Sequence, residues 1–495
     1  MEHSDLQYLT IDLPEDIKKL KWYGDFERAK RIIDLRLEKD IPIPLRKRLE
    51  LEKWILKRLP VTYIYTEEQA LKKLQETLEG VTKEELERLQ DEGAIEWIFV
   101  NGQMRYKDNF VENLLKTRKE LWSRLKDACV VEEQTRSGKL LDQMILNMKE
   151  KGGLAYRMRI RASLKVEKGA ERIGEFIRVH LPVPVEKGQV KNFRLLKTCM
   201  EPVLVSPPDY PQRTVCMETN LEPGQEFWIE YEFENHTRYT RLNEGCQQKE
   251  LKSEAQNQEE KKSKTQGEKW DRQSPEQQNQ KLQPDDSLTS YLEEQLPHIR
   301  FTPYLRELTQ QVTEGERNPL RKARKIYDYI TTHIMYSFVR QYATIDNLPE
   351  YMATGMKGDC GIYALLFITM CRIAKIPARW QAGLYATPLT IGCHDWAQFY
   401  IEPYGWLYAD CSFGGSAWRG GNRERWDFYF GNLDPFRIPM CSEFQQEFMP
   451  PKSFLREDPY DNQSGEAEYD DRGLIGKLEY QTEKQVVEIE EIPFK

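Results

Sequence analysis

Over the first 150 residues, apolar positions recur at helical spacing between charged ones, as in FERAKRIIDLRLEKD and LRKRLELEKWILKRL. That period predicts a mainly helical domain over 1–150. Within it, Thr82 and Glu85 have capping-box spacing, and AIEWIFVNGQMRY places Asn101-Gly102 between two short strands, the signature of a hairpin. A helix followed by a hairpin is the outline of a winged-helix-like module. The hairpin is poor in Lys and Arg, however, so a helical packing or interaction domain is the better reading.

The period then falls to two. Tyr156, Met158, Ile160, Ala162, Leu164 and Val166 alternate with Arg157, Arg159, Arg161, Ser163 and Lys165. Ile177, Val179 and Leu181, and later Phe227, Ile229, Tyr231 and Phe233, alternate with polar neighbours in the same way. With breaks at VPVEKG, SPPDYP and LEPGQ, this predicts an antiparallel, sandwich-like β domain over 151–240. The alternating arginines read as the solvated face of an edge strand or a one-sided sheet.

Residues 241–287 are almost devoid of apolar side chains and read as a disordered polar linker or insertion. Order is expected again over 288–445. There Asn318 and Pro319 open a helix whose face holds Leu320, Ala323, Ile326, Tyr327, Ile330 and Ile334. Residues 446–495 form a C-terminal extension with β character.

Composition narrows the function. In 495 residues, 73 basic and 81 acidic side chains give a net charge of −8, with no basic stripe to follow a phosphate backbone, so nucleic acid is not an expected partner. The start has no apolar core of signal-peptide length and no run approaches a membrane span, which points to a cytoplasmic protein without a membrane partner. Nine cysteines form no C-x-x-C pair, so reduced thiols are expected.

One of those thiols sits at a telling place. In KGDCGIYALLFITMCRIAKIPAR, Asp359 is a good helix starter and the run from Tyr363 to Ile373 is apolar on nearly every side, so Cys360 falls in the first turn of a buried helix. The unpaired N–H groups and positive dipole end there favour thiolate. A free cysteine is also a common core residue, so position alone does not make it a nucleophile. Partners lie downstream in CHDWAQFYIEPYGWLYADCSF, which reads as strand, turn, strand. If Glu402, Pro403 and Tyr404 form a three-residue turn, Asp410 stands opposite Trp396 and shares a sheet face with His394, within reach of a His–Asp hydrogen bond. Asp395 then points the other way, as a surface or hydrogen-bonding residue. Cys393, His394 and Cys411 are zinc-ligand types, but Cys393 and His394 project to opposite faces, and no metal or other cofactor is expected.

The order Gly-Asp-Cys-Gly (Gly358 to Gly361), Cys-Arg-x-x-x-Ile-Pro-Ala-Arg (Cys371 to Arg379), His-x-Trp-x-x-Phe-Tyr (His394 to Tyr400) and Gly405-Trp406 followed by Asp410 resembles the core of the transglutaminase-like superfamily. The resemblance spans about residues 300–420, and the β domain before it is similar to the one preceding this core in many bacterial members. It implies an α+β, papain-like transglutaminase core, preceded by the antiparallel β domain and the N-terminal helical domain. It further implies Cys360 as nucleophile, His394 as base and acid, and Asp410 as orienting carboxylate. Where the family commonly has Pro or a small residue after this Asp, the chain has Cys411. For the oxyanion, the backbone N–H of Cys360 is the first donor, with Tyr336 or Gln341 as the second. The expected activity is attack on a peptide or side-chain amide through a thioester acyl-enzyme, hydrolytic and peptidase-like, with a protein or peptide as substrate. Protein-glutamine transamidation and a non-catalytic interaction scaffold are the alternatives. Oligomeric state is not legible.

Overall fold

The computed structural model describes residues 3–127, 129–242 and 286–494, so the predicted polar linker lies, but for its ends, outside the described residues. Three N-terminal helices, Glu15–Tyr23, Phe26–Leu37 and Ile43–Arg58, are followed by Glu67–Thr77 and Lys83–Asp91. The side chain of Thr66 caps the fourth and that of Thr82 the fifth, the first with a complete capping box through Gln69. The hairpin Trp97–Val100/Gln103–Tyr106 turns on Asn101 and Gly102, both at positive φ.

These helices divide between two cores. Leu6 through Leu59 bury their apolar faces in the same core as Ile362, Leu366 and Phe399 of the later α+β region, whereas Ala70 through Leu121 enclose a small core of their own. Arg48 reaches Asp346 at 3.3 Å and Arg58 reaches Glu457 at 2.9 Å, so ion pairs cross the same boundary.

The β region holds two four-stranded antiparallel sheets. The strand Gly153–Val166 lies inside its sheet rather than at an edge, pairing with Glu226–Arg238 on one side and Tyr480–Ile492 on the other. Its arginines form cross-strand contacts: Arg159 donates to Glu230 at 2.6 Å, and the Arg161 guanidinium stacks 4.0 Å over the Trp228 ring. The last segment of the chain also returns to the other sheet, where Glu466–Tyr469 pairs with Phe176–Pro182.

A third, five-stranded antiparallel sheet positions the candidate site, in the spatial order Phe430–Gly431, Gly405–Ala409, Ile391–Ile401, Ala378–Ala386, Arg437–Cys441. Its two faces are both covered. Ala397, Phe399 and Ile401 face the buried helix Cys360–Ile373 and the helical core, while Trp396, Leu384 and Ala386 face the core of the sandwich. Period-two geometry therefore sends alternate residues of one strand into two different environments. Gly383 allows the outer strand to close in, since a Cβ there would lie 2.0 Å from the Ile438 carbonyl oxygen. The result is an α+β fold with antiparallel sheets.

Candidate active site

Cys360 opens the buried helix as its sequence requires. The Asp359 side chain caps the helix by accepting from the Ile362 N–H at 3.5 Å, and the Tyr342 hydroxyl donates to the same carboxylate at 2.5 Å. Cys360 borders a cleft of about 580 Å³ together with Tyr336, Gln341, Asp395, Asp458 and Gln463.

The histidine and its carboxylate come together as the parity argument predicts. Ile401 pairs with Gly405 and Ala397 with Ala409, so residues 402–404 form the turn and Asp410 follows one step beyond Ala409, on the face of His394. His394 Nε2 lies 2.8 Å from Asp410 Oδ2. Arg437 donates to the same oxygen from Nε at 3.2 Å and Nη2 at 3.1 Å, and its Nη1 lies 3.1 Å from Asp434. The other Asp410 oxygen caps the following helix, Cys411–Arg419, by accepting from the Phe413 N–H at 2.9 Å.

Burial would raise Asp410, but His394 and Arg437 outweigh it and hold the carboxyl below its usual range. Burial lowers His394 against the pull of Asp410. The imidazole is therefore neutral at neutral pH; with Nε2–H given to Asp410, Nδ1 keeps the basic lone pair. Phe413 and Trp396 flank the ring at centroid distances of 4.7 and 6.1 Å.

The thiol has a different neighbour. Cys360 Sγ donates to Asp395 Oδ2 at 3.3 Å, and the other Asp395 oxygen accepts from Gln463 Nε2 at 2.5 Å. Among the described residues, no hydrogen bond joins Cys360 to His394. Asp395 is 4% exposed, so it is not a surface residue; it is the hydrogen-bonding residue facing the helix. Burial, then Asp395, then Asp359 push the Cys360 thiol well above its usual value. The helix terminus favours thiolate, as the sequence suggests, but desolvation and two nearby carboxylates outweigh it. Asp395 itself is pushed up to about 8 by burial and by the charge of Asp359.

Of the two side chains considered for the oxyanion, the Tyr336 hydroxyl is within hydrogen-bonding reach of Cys360, whereas Gln341 donates its amide to Glu457 at 3.1 Å. Cys393 projects beside Lys484, whose Nζ is 3.2 Å from its sulfur, and Cys411 is buried in the first turn of its helix. Arg437 and Gln463 had no sequence signal, since both reach the site from beyond the motif-bearing segment. Asp395 did have one: the parity that places His394 beside Asp410 also turns Asp395 towards the helix that carries Cys360.

Residues 306–411 match the model of the transglutaminase-like superfamily. No curated protein matches the chain in sequence. Among solved structures, a candidate cysteine protease from Cytophaga hutchinsonii aligns at 13% identity over 69% of this chain and 94% of its own, with a TM-score of 0.38. The periplasmic domain of TgpA from Pseudomonas aeruginosa aligns at 13% identity over 57% of this chain and 96% of its own, with a TM-score of 0.28. The motifs and the family match fall on one segment, so residues 306–411 form a transglutaminase-like core.

Proposed function

We propose that the protein is a thiol acyl-transfer enzyme that hydrolyses peptide or side-chain amides, with Cys360 as nucleophile, His394 as base and acid, and Asp410 as the carboxylate that orients His394. The observation that carries this reading is the buried His394–Asp410 hydrogen bond of 2.8 Å, made by a neutral imidazole whose second nitrogen is basic. On the neighbouring helix, the thiol of Cys360 borders a cleft.

In the proposed reaction the thiol proton passes to His394 and sulfur bonds to the amide carbonyl carbon. The oxyanion is held by the Cys360 N–H and the Tyr336 hydroxyl. His394 returns the proton to the departing amine as the C–N bond breaks, leaving a thioester. Water, deprotonated by His394, then releases the acid and restores the thiol. Because the resting thiol donates to Asp395, whose side chain leaves the strand on the face opposite His394, the thiol must turn away from Asp395 and towards the imidazole before attack. Cys360 is a free thiol, the state that nucleophilic attack requires.

The test is a screen of peptide amides with and without an added primary amine, read by mass spectrometry. Hydrolysis in the wild type, lost by about a thousandfold or more in Cys360→Ala, is the expected result. Amine-dependent conjugates replacing hydrolysis would move the reading to transamidation. Turnover retained by Cys360→Ala would sink the nucleophile assignment.

A further inference from the structure

We propose that Asp395 is a positioning residue for the thiol: in the resting protein it holds Cys360 as neutral S–H, and Gln463 holds Asp395 in place. The inference rests on the reading of Cys360 as nucleophile. Its geometry is specific. The thiol donates to one carboxylate oxygen at 3.3 Å, and Gln463 Nε2 donates both to the other oxygen, at 2.5 Å, and to the main-chain oxygen of His394, at 3.2 Å. One amide group from the C-terminal segment thus ties down two consecutive residues of the strand. Gly361 makes the approach possible, since a Cβ there would lie 2.8 Å from Asp395 Oδ2 and 2.2 Å from the Tyr342 hydroxyl.

Chemistry gives this contact a direction. Once Asp395 is ionised, a thiol that donates to it cannot lose its proton without placing like charges side by side. The other titratable groups facing Asp395 add to that effect or leave it standing. They are Asp359 at the helix start, Tyr336 and Tyr342 before it, Asp458 and Asp461 from the C-terminal segment, and Cys441 on the neighbouring region of sheet. Lys107 acts on Asp359, and Arg456 on Asp458 and Asp461. For attack, the thiol must leave Asp395 Oδ2 and give its proton to His394 Nδ1, so that breaking S–H leaves the electron pair on sulfur and an imidazolium beside Asp410.

The test uses the full chain and iodoacetamide, with the alkylation rate of Cys360 followed by peptide mapping from about pH 6 to about pH 10. Asp395→Asn keeps the shape and removes the charge. It is expected to alkylate at least about tenfold faster than wild type near pH 9, the change that one unit of thiol pKa produces. The gap widens as pH rises through about 8, where Asp395 ionises in the wild type and restrains the thiol further. Gln463→Ala moves in the same direction, and the double variant Asp395→Asn/His394→Ala loses most of the gain. Cys393 alkylation and the melting temperature serve as controls, since a packing defect moves them too.

A rate in Asp395→Asn equal to or below wild type overturns the proposal; a lower rate identifies Asp395 as the acceptor of the thiol proton. Should that variant not fold, Gln463→Ala decides alone by the same sign. Failure here is distinct from failure of the proposed function, which is read from amide turnover by Cys360→Ala.

Discussion

His394 and Asp395 are neighbours on one strand, and the carboxylates on its two sides behave in opposite ways. Asp410, on the His394 side, is fully buried yet held below the ordinary carboxylate range; Asp395, 4% exposed on the other side, is pushed up to about 8. Burial is common to both, so burial does not decide. The difference is compensation: Asp410 receives His394 and two nitrogens of Arg437, whereas Asp395 receives a thiol and an amide and stands near Asp359. Within a few ångströms of sheet thickness, one side is built to keep a carboxylate charged and the other to keep charge away from sulfur.

The largest way to break this contrast is to remove the cation. Arg437→Met leaves Asp410 and Asp434 buried without their guanidinium, a loss of about 3–5 kcal/mol for a broken buried ion network. Thermal or denaturant melts near neutral pH read it. A loss of less than about 1 kcal/mol would mean that Arg437 is not what holds Asp410 ionised. Next in size is His394→Ala, which leaves the Arg437 pairs in place. It is expected to cost about 10²–10⁴-fold in amide turnover while shifting stability by no more than about 2 kcal/mol. Comparable losses of turnover and of stability would assign His394 to the fold rather than to the chemistry.

How much of this was legible depended on distance along the chain. The Asp359 cap, the Asn101-Gly102 hairpin and the 402–404 turn are local, and local chemistry fixes them; the turn also fixed the register that joins His394 to Asp410. Strand parity turned Asp395 towards a helix, but only packing puts that helix's first residue 3.3 Å away. Arg437 reaches Asp410 from 27 residues further on, and Gln463 reaches Asp395 across a separation of 68, with no periodic pattern to announce either. The same limit explains the last strand. Tyr480–Ile492 pairs with Gly153–Val166, more than three hundred residues earlier, and makes an interior strand of one that its alternation suggested was an edge.

The contrast also predicts opposite pH slopes. Asp410, lowered in the fold, contributes stability that is present above its unfolded value near 4 and is lost as pH falls through its lower folded value. Asp395, raised in the fold, works the other way: its contribution is complete below about 4 and is lost as pH rises through the window to about 8. Asp395→Asn should therefore flatten the decline in stability between about pH 5 and pH 8, by an amount of order 1–3 kcal/mol. Melts of the two proteins across that range check it. Parallel curves would place the titration elsewhere.

The smallest effect sharpens the acidic side alone. Tyr342 donates its hydroxyl to Asp359 at 2.5 Å, and this bond is the main influence opposing the rise of Asp359, which burial carries to about 6. Tyr342→Phe removes the donor and little else, so the loss of stability should be about 1 kcal/mol, as for a single partly buried hydrogen bond. Asp359 then titrates higher and is neutral in a larger fraction of molecules near pH 7. Since the charge of Asp359 is one of the influences that raise both Asp395 and the Cys360 thiol, both should ionise more readily there. Carbon-13 NMR of labelled aspartate side chains, followed through a pH titration, should show Asp359 moving up and Asp395 moving down in the same variant. If Asp395 stays at its wild-type midpoint while Asp359 moves, the two carboxylates are not electrostatically linked, and the high pKa of Asp395 belongs to burial alone.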